Sequence, residues 1–558
     1  MKELCVTTDF YDDLIHAGRH YRKEDLDAMM AYAAGLGARR HEWILDTIWT
    51  LYDEDGPVGY DLLAEACEAA HRHGMRFDVV FKPFEGAIGN AALVVPHDMP
   101  RPPGVPLLDE IGGLVHNVRP FLAEHPEMRM ARCADDNDPG GRIAAIRLVK
   151  RDDAPAEFGK DDLSLFTSNR NGGFQPYTGP MTMTESVEWR CLFPYRDCPS
   201  RILTLGGLEL PADARYLMIR CRKKKGTFTN AVEQLVELVN EHGAVIPSTP
   251  SLRRVNPEGM WQRADHIARL NLTAYVRDPE VRALLADRAG FLDRCRDMYA
   301  FDAGWEEATL DKADEVVVAR GNARHVIGVL NPVYPEVRAH WMDHVQFCID
   351  RGVDGVNMRV ADHNRPYEPW TYGFNPPTLE QMTDPANTAE AARINGDAYT
   401  RFLREAAELL HKNGKEIGVH VHGLIFRHDD RVPNNTPLPR NIAWQWETWI
   451  REFADYVEFR GANQLKQENI QLVTDRIGLA AREAGIPFIF QSGRGDAVHY
   501  DGPHYVLARE MDWVRTRPDI SIYNLYEIAC FSRMNSGDRF EGSPAIAELV
   551  REHWREKE

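Results

Sequence analysis

Residues 76–85 read RFDVVFKPFE, and the fold turns on this stretch. Residues 76–81 form a short apolar strand, and Lys82-Pro83-Phe84-Glu85 then breaks a rhythm that had run from the N-terminus. Upstream, residues 4–9 read as a strand and 23–37 as a helix ending at Gly37; residues 40–46 are the next strand and 60–74 the next helix. Strand followed by helix, repeated, is the signature of a β/α fold. The rhythm resumes near residue 330, with strands expected at 354–359, 416–422, 462–468, 487–491 and 521–527. Helices are expected between them at 389–412, 443–459, 471–484 and 503–515. Three strands before the break and five after it make eight, which closes a (β/α)₈ TIM barrel with no strand left over. A doubly wound open sheet with a mobile lid is the competing arrangement.

The break has its own character. Residues 86–133 connect the first barrel part, 1–85, to a strand-rich stretch at 134–225, with strands expected at 142–149, 162–168, 186–192, 201–205 and 216–221. Turn-rich pieces such as Asn169 to Gly173 separate them, the pattern of a small inserted β-sandwich, for which sugar binding and a purely structural role both stand open. Residues 226–325 read as a helical connection, with helices at 229–242, 261–272, 277–286 and 289–298. The remainder of the barrel spans 326–530, and 531–558 form a helical tail.

Composition narrows the partners. The chain has 558 residues, 66 basic against 85 acidic, and a net charge of -19. That field opposes polyanions, so nucleic acid and anionic membrane are not expected partners. Nine cysteines lie scattered without C-x-x-C spacing, which fits reduced thiols. No signal-like N-terminus or apolar span of about 18 residues is present, so a cytoplasmic location is expected. The oligomeric state is not set by these features.

In a TIM barrel chemistry gathers at the C-terminal ends of the strands, on the face of each strand that alternates with its apolar face. The first strands offer Asp9, Glu42 and Asp46, able to bind a polyhydroxylated ligand, with Lys82 at the same level on the third. In the fourth, Asn357 and Arg359 alternate with Val356 and Met358, and Asp362 follows on a polar, aromatic loop. EIGVHVH places His420 and His422 on one face, suited to substrate hydrogen bonding or proton transfer. A divalent metal at this H-x-H pair is the alternative to a site without any cofactor. ANQLKQE presents Lys466 and Glu468, where the lysine favours a charged carboxylate fit for a nucleophile or base. Gln491 and Arg494 follow the seventh strand, while Asn524, Tyr526 and Glu527 end the eighth. There is no G-x-G-x-x-G after the first strand, no Walker-type phosphate loop and no G-x-S-x-G elbow.

DLDAMMAYAAGLGARRHEWILD at 25–46, NPVYPEVRAHWMDHVQFCIDRGVDGVNMR at 331–359 and YGFNPPTLE at 372–380 resemble glycoside hydrolase-like barrels distantly related to the family 10 and alpha-amylase groups. The resemblance covers the barrel portions and implies hydrolysis of glycosidic bonds by two carboxylates at strand ends. One departure is specific. Amylase-like barrels carry D-G-x-R-x-D where this chain reads Asp354-Gly355-Val356-Asn357-Met358-Arg359, so Arg359 occupies the nucleophile's place and that mechanism does not transfer. The expectation is a glycoside hydrolase with Glu468 and Glu527 as leading carboxylates and Asp362 in reserve. A metal-dependent sugar isomerase or lyase and a non-catalytic carbohydrate-binding protein are the alternatives.

Overall fold

The computed structural model describes residues 2–9, 21–45, 59–86, 107–133, 138–222, 236–250, 314–360, 371–426, 441–461, 467–492 and 500–554, apart from short gaps at 112–113, 119, 151, 170–173, 193–195 and 502–503, together with a few residues between 287 and 293. Eight parallel strands close into a barrel: β1 Glu3–Asp9, β2 Ala38–Ile44, β3 Arg76–Phe81, β4 Gly355–Met358, β5 Glu416–His422, β6 Tyr456–Arg460, β7 Phe488–Gln491 and β8 Ile522–Tyr526. The helices around them are α1 Lys23–Leu36, α2 Leu62–Arg72, α3 Pro335–Asp350, α4 Thr388–Lys412, α5 Trp446–Glu452, α6 Gln467–Ala484, α7 Tyr505–Arg515 and α8 Pro544–His553. One helix follows each strand, as the sequence rhythm requires.

Each strand divides by parity. Leu4 and Val6, Trp43, Phe77 and Val79, Val356 and Met358, Val419, Val457 and Phe459, and Tyr523 and Leu525 all join one apolar cluster with the helices. The helices present matching stripes, such as Leu26, Met29, Met30, Ala33 and Leu36 on α1, spaced to share one face. Gly37, at φ 95°, ends α1 in the left-handed region, where a side chain would be strained. Asp61 caps α2 by accepting from the backbone N–H groups of Leu63 (3.1 Å) and Ala64 (3.0 Å), and Asn387 caps α4 in the same manner.

Inside the barrel the N-terminal end is plugged by charge rather than branched aliphatics. Arg40 Nη1 donates to Asp78 Oδ2 at 2.7 Å, and its guanidinium lies over the Tyr456 ring, 4.3 Å from the centroid. Gly418 makes this possible, because a Cβ there would stand 2.2 Å from the Tyr456 ring. Gly355 likewise leaves space for Asp78, whose Oδ1 would lie 2.7 Å from an added Cβ. Asp354 fixes the foot of β4 from outside, accepting from Phe77 N (2.9 Å) and lying 2.8 Å from His71 Nε2.

The insertion leaves the C-terminal end of β3 and returns immediately before α3, so it emerges on the barrel face where strands end. It contains two five-stranded sheets. One orders strands Thr182–Leu192, Arg196–Gly206, Ile143–Val149, Val236–Asn240 and Val245–Ile246; the other orders Ser248–Pro250, Asp314–Arg320, Tyr216–Cys221, Leu163–Ser168 and Gln175–Pro176. Ile146, Leu203 and Leu238 of the first share an apolar core with Leu165, Leu217, Ile219 and Val318 of the second. The second sheet turns its other face, Phe166, Met218 and Val317, into the cluster of the barrel.

Three expectations need correction. The stretch 229–242 is not one helix: Val236–Asn240 is a strand, alternating buried Val236 and Leu238 with partly exposed neighbours. The sheets therefore recruit residues 236–250 and 314–320, beyond the boundary expected at 225. The helices expected at 261–272 and 277–286 lie outside the described residues. The sixth strand is Tyr456–Arg460, not 462–468, and the helix before it stops at Glu452. Val457 and Phe459 supply the outward apolar face that a barrel strand needs, whereas ANQLKQE has no such pair; Gly461, at φ 77°, ends the strand.

The base of the insertion is sewn to the loop after β4. Asn375 Nδ2 donates to the carbonyls of Glu127 (3.0 Å) and Arg129 (2.6 Å), its Oδ1 accepts from Ala131 N (3.0 Å) and Asn331 Nδ2 (2.8 Å), and Tyr372 Oη reaches Ala323 O at 2.7 Å. The segment YGFNPPTLE thus works as a clamp. None of the seven cysteines with described side chains is joined in a disulfide, and no described helix is long and apolar enough to cross a membrane.

Candidate functional site

Alternate strands of a TIM barrel contribute the four inward side chains of one layer, and bulky aliphatics usually fill it. Here β2, β4, β6 and β8 contribute Glu42, Asn357, Glu458 and Asn524, all wholly buried. The two amides bridge the two carboxyls. Asn357 Nδ2 donates to Glu42 Oε1 at 2.9 Å and to Glu458 Oε2 at 2.5 Å; Asn524 Nδ2 donates to Glu42 Oε2 and to Glu458 Oε1, each at 2.8 Å. Thr7 Oγ1 on β1 donates to Asn524 Oδ1 at 2.8 Å, which fixes the orientation of that amide. His420 on β5 brings Nε2 to 2.7 Å from Glu458 Oε2.

Burial governs the protonation of this layer. It pushes the Glu42 carboxyl up to about 8, reinforced by the adjacent Glu458, and pushes Glu458 up to about 7 against the hydrogen bonds from Asn524 and Asn357. Two carboxyls tied to the same pair of amides do not ionise independently, so near neutral pH they hold a proton between them. Burial drives His420 down to about 3, with Arg359 acting in the same direction, and the imidazole is neutral. The arrangement is able to hold and pass a proton while its own geometry stays fixed.

Toward the strand ends stand Arg359, 3 % exposed, and Arg460, whose guanidinium lies 4.7 Å from the Tyr526 ring centroid. Gln491, His422 and Asp9, at the ends of their own strands, are also buried, and Glu527 follows Tyr526 at the end of β8, 6 % exposed. The His422 ring packs on Gly461, where an added Cβ would come within 2.7 Å of it. Lys82 is paired with Glu85.

Of the residues expected from sequence, Glu42, Asn357, His420 and Asn524 come together, with Asp9, Arg359, His422, Gln491, Tyr526 and Glu527 toward the strand ends. Glu468 falls within α6 rather than on the sixth barrel strand, Tyr456–Arg460. Lys466, Asp46, Asp362 and Arg494 lie outside the described residues. Glu458 and Thr7 were missed. The signal for Glu458 was present in DYVEFR, where Tyr456, Glu458 and Arg460 alternate with Val457 and Phe459. Among the described residues, no three His, Cys, Asp or Glu side chains are grouped to hold a metal ion, and His420 directs Nε2 to Glu458.

No protein-family model matches the chain, and no curated protein matches it. Among solved structures, a GH20 exo-β-N-acetylglucosaminidase from Vibrio harveyi in complex with N-acetylglucosamine is similar at 9% identity and a TM-score of 0.34, over 100% of this chain. The chain spans 55% of that protein's length. The catalytic domain of a β-amylase from Paenibacillus polymyxa is similar at 9% identity and a TM-score of 0.34, with 99% of each chain covered.

Proposed function

We propose that the chain is an enzyme acting on a carbohydrate or glycoside, cleaving it hydrolytically by proton transfer at the C-terminal end of the barrel. The observation that carries this reading is the layer of Glu42, Asn357, Glu458 and Asn524. Placing two carboxyls where aliphatic side chains would stabilise the barrel costs folding energy, and such a cost is usually retained for function. Glycoside cleavage needs one carboxyl to protonate the leaving oxygen and another to activate water or attack the sugar. Glu527, which follows β8, is the carboxyl proposed to meet the sugar. Glu458 lies deeper and acts as a positioning residue, its carboxyl held by Asn357, Asn524 and His420. Asp362 remains the sequence candidate for the second carboxyl.

The test is turnover of the full chain on a panel of aryl glycosides and oligosaccharides. Glu527→Gln should abolish turnover while thermal melts stay close to those of the parent. Glu458→Gln should alter the alkaline limb of the pH–rate profile, which a merely structural role would leave in place. Saturable sugar binding with no turnover across the panel would sink the hydrolase reading in favour of a binding protein. Activity that chelation removes and a divalent cation restores would favour the metal-dependent isomerase or lyase instead.

A further inference from the structure

Among the described residues, Arg40 and Arg129 are buried arginines with charged or carbonyl partners. Arg40 is paired with Asp78 at 2.7 Å, and Arg129 gives its Nε to the Leu122 carbonyl at 2.9 Å. Arg40 Nε is unsatisfied, as is that of Arg359, so Arg359 differs from these two in lacking a carboxylate or carbonyl partner among the described residues rather than in its Nε. It is 97 % buried by its 3 % exposure, its Nε has no hydrogen-bond partner, and among the described residues no carboxylate lies within ion-pair distance. Arg460, two positions beyond Glu458, buries Nη1 equally without a partner while its guanidinium rests over Tyr526.

The strand register places both on the inward side toward the strand ends. Asn357 and Glu458 share the layer described above and are bonded to each other at 2.5 Å. Arg359 and Arg460 each stand two residues further along β4 and β6, roughly 6–7 Å nearer the strand ends at 3.3 Å per residue. Each has the parity of its layer residue and therefore the inward face. Gln491, 2 % exposed, adds a buried Oε1 without a donor from β7. Among the described residues neither guanidinium has a carboxylate within ion-pair distance, and Arg359 acts on the Glu458 carboxyl only through space, which leaves both forks open to an anionic group.

We infer that Arg359 and Arg460 form a subsite for a singly presented oxyanion on a sugar ring, so that the substrate is an acidic saccharide bearing a carboxylate or a sulfate ester. A guanidinium fork matches the two oxygens of a carboxylate or sulfate group, and Gln491 Oε1 accepts from a ring hydroxyl. The negative charge of the whole chain disfavours a dense polyanion but not one such group carried to two arginines. The substrate class rests on the carbohydrate reading above; the anion subsite is testable apart from it.

The experiment is calorimetric titration of the full chain with methyl β-glucuronide, glucose 6-sulfate and the neutral methyl β-glucoside. Either or both charged sugars should bind at least about tenfold more tightly than the neutral one, and the better of the two identifies the oxyanion. Arg359→Met and Arg460→Met should each reduce that charged-to-neutral ratio, and Arg359→Lys should restore part of it. Arg460 is only partly buried, so its variant remains informative if Arg359→Met does not fold. Equal affinity for charged and neutral sugars, no binding of any of them, or a ratio unchanged in both methionine variants overturns the subsite. Charged sugars that bind selectively but are never turned over as aryl glycosides would leave the subsite standing and remove the hydrolase reading. Hydrolysis of neutral glycosides with no preference for charged ones would do the reverse.

Discussion

His420 Nε2 and Glu458 Oε2 stand 2.7 Å apart on directly paired positions of β5 and β6, and both side chains are sealed from solvent. The neutral imidazole has one N–H to place. His420 Nδ1 has no partner, so a proton there would be a buried donor left unsatisfied, and the N–H belongs on Nε2, donating to the Glu458 carboxylate. That bond favours the charged form of Glu458. Replacing His420 with Leu should therefore raise the proton affinity of Glu458 and move the loss of its protonated-carboxyl infrared band to higher pH. The alkaline limb of turnover should move with it. A move to lower pH would place the proton on Nδ1 instead.

The same layer predicts how stability responds to pH. Glu42 and Glu458 are raised from an ordinary 4.5 to about 8 and about 7, so between these limits the folded chain binds more protons than the unfolded chain. Their contribution is fully present below pH 4.5 and is lost as pH rises through 7 and 8. His420 is lowered from 6.5 to about 3, so its contribution has the opposite sign: it is lost as pH falls from 6.5 toward 3 and is constant above. Above pH 6.5 only the carboxyls remain in play. The Tm should fall by several degrees between pH 6.5 and 8.5, and Glu42→Gln should flatten that slope. An equally steep slope in the variant would move its cause outside this layer.

Much of this was legible in the sequence because barrel strands carry two signals at once. In EIGVHVH, Ile417, Val419 and Val421 announce the face toward the helices and thereby assign His420 and His422 to the interior. HEWILD does the same for Glu42. The sixth strand was misplaced because YVEFR follows closely on the helical stretch Trp446–Glu452 and only Phe453, Ala454 and Asp455 separate them. A short helix passes into a short strand with no proline or glycine between to mark the boundary. The error carried the carboxyl assignment to Glu468, ten positions past Glu458. Thr7 was invisible for another reason: its role depends on Asn524, which is more than five hundred residues away, and only closure of the barrel brings them together.

The charged plug at the other end of the barrel should respond sharply to loss of one partner. Arg40 and Asp78 have side-chain exposures of 5% and 0%, and Arg40 Nη1 is 2.7 Å from Asp78 Oδ2. Asp78→Asn leaves the buried guanidinium only the longer carboxylate contact of its Nη2 with Glu416 Oε2 at 3.6 Å, at a cost of about 3–5 kcal/mol. Replacing both with apolar residues of similar volume should recover a large part of this loss, since a desolvated pair contributes little net stability. Chemical denaturation of the two variants measures the difference. A single substitution costing under about 1 kcal/mol would show that water reaches the plug.

Gly418 and Tyr456 test whether the glycine is there for space alone. Gly418 is not among the residues with positive φ, so an alanine there meets no backbone strain. Its Cβ would nevertheless stand 2.2 Å from Tyr456 Cε2 and 2.3 Å from Cζ, within a ring that is wholly buried and stacked on Arg40. Gly418→Ala should destabilise the chain by about 1–3 kcal/mol, the range for an overpacked core. Tyr456→Leu removes the clashing ring atoms at its own cost in lost packing on Arg40. The double variant should then be more stable than the sum of the two losses requires, giving a coupling of about 1 kcal/mol or more in a double-mutant cycle. Additive losses would mean that β5 shifts to admit the methyl group. The glycine would then serve the strand backbone rather than the tyrosine.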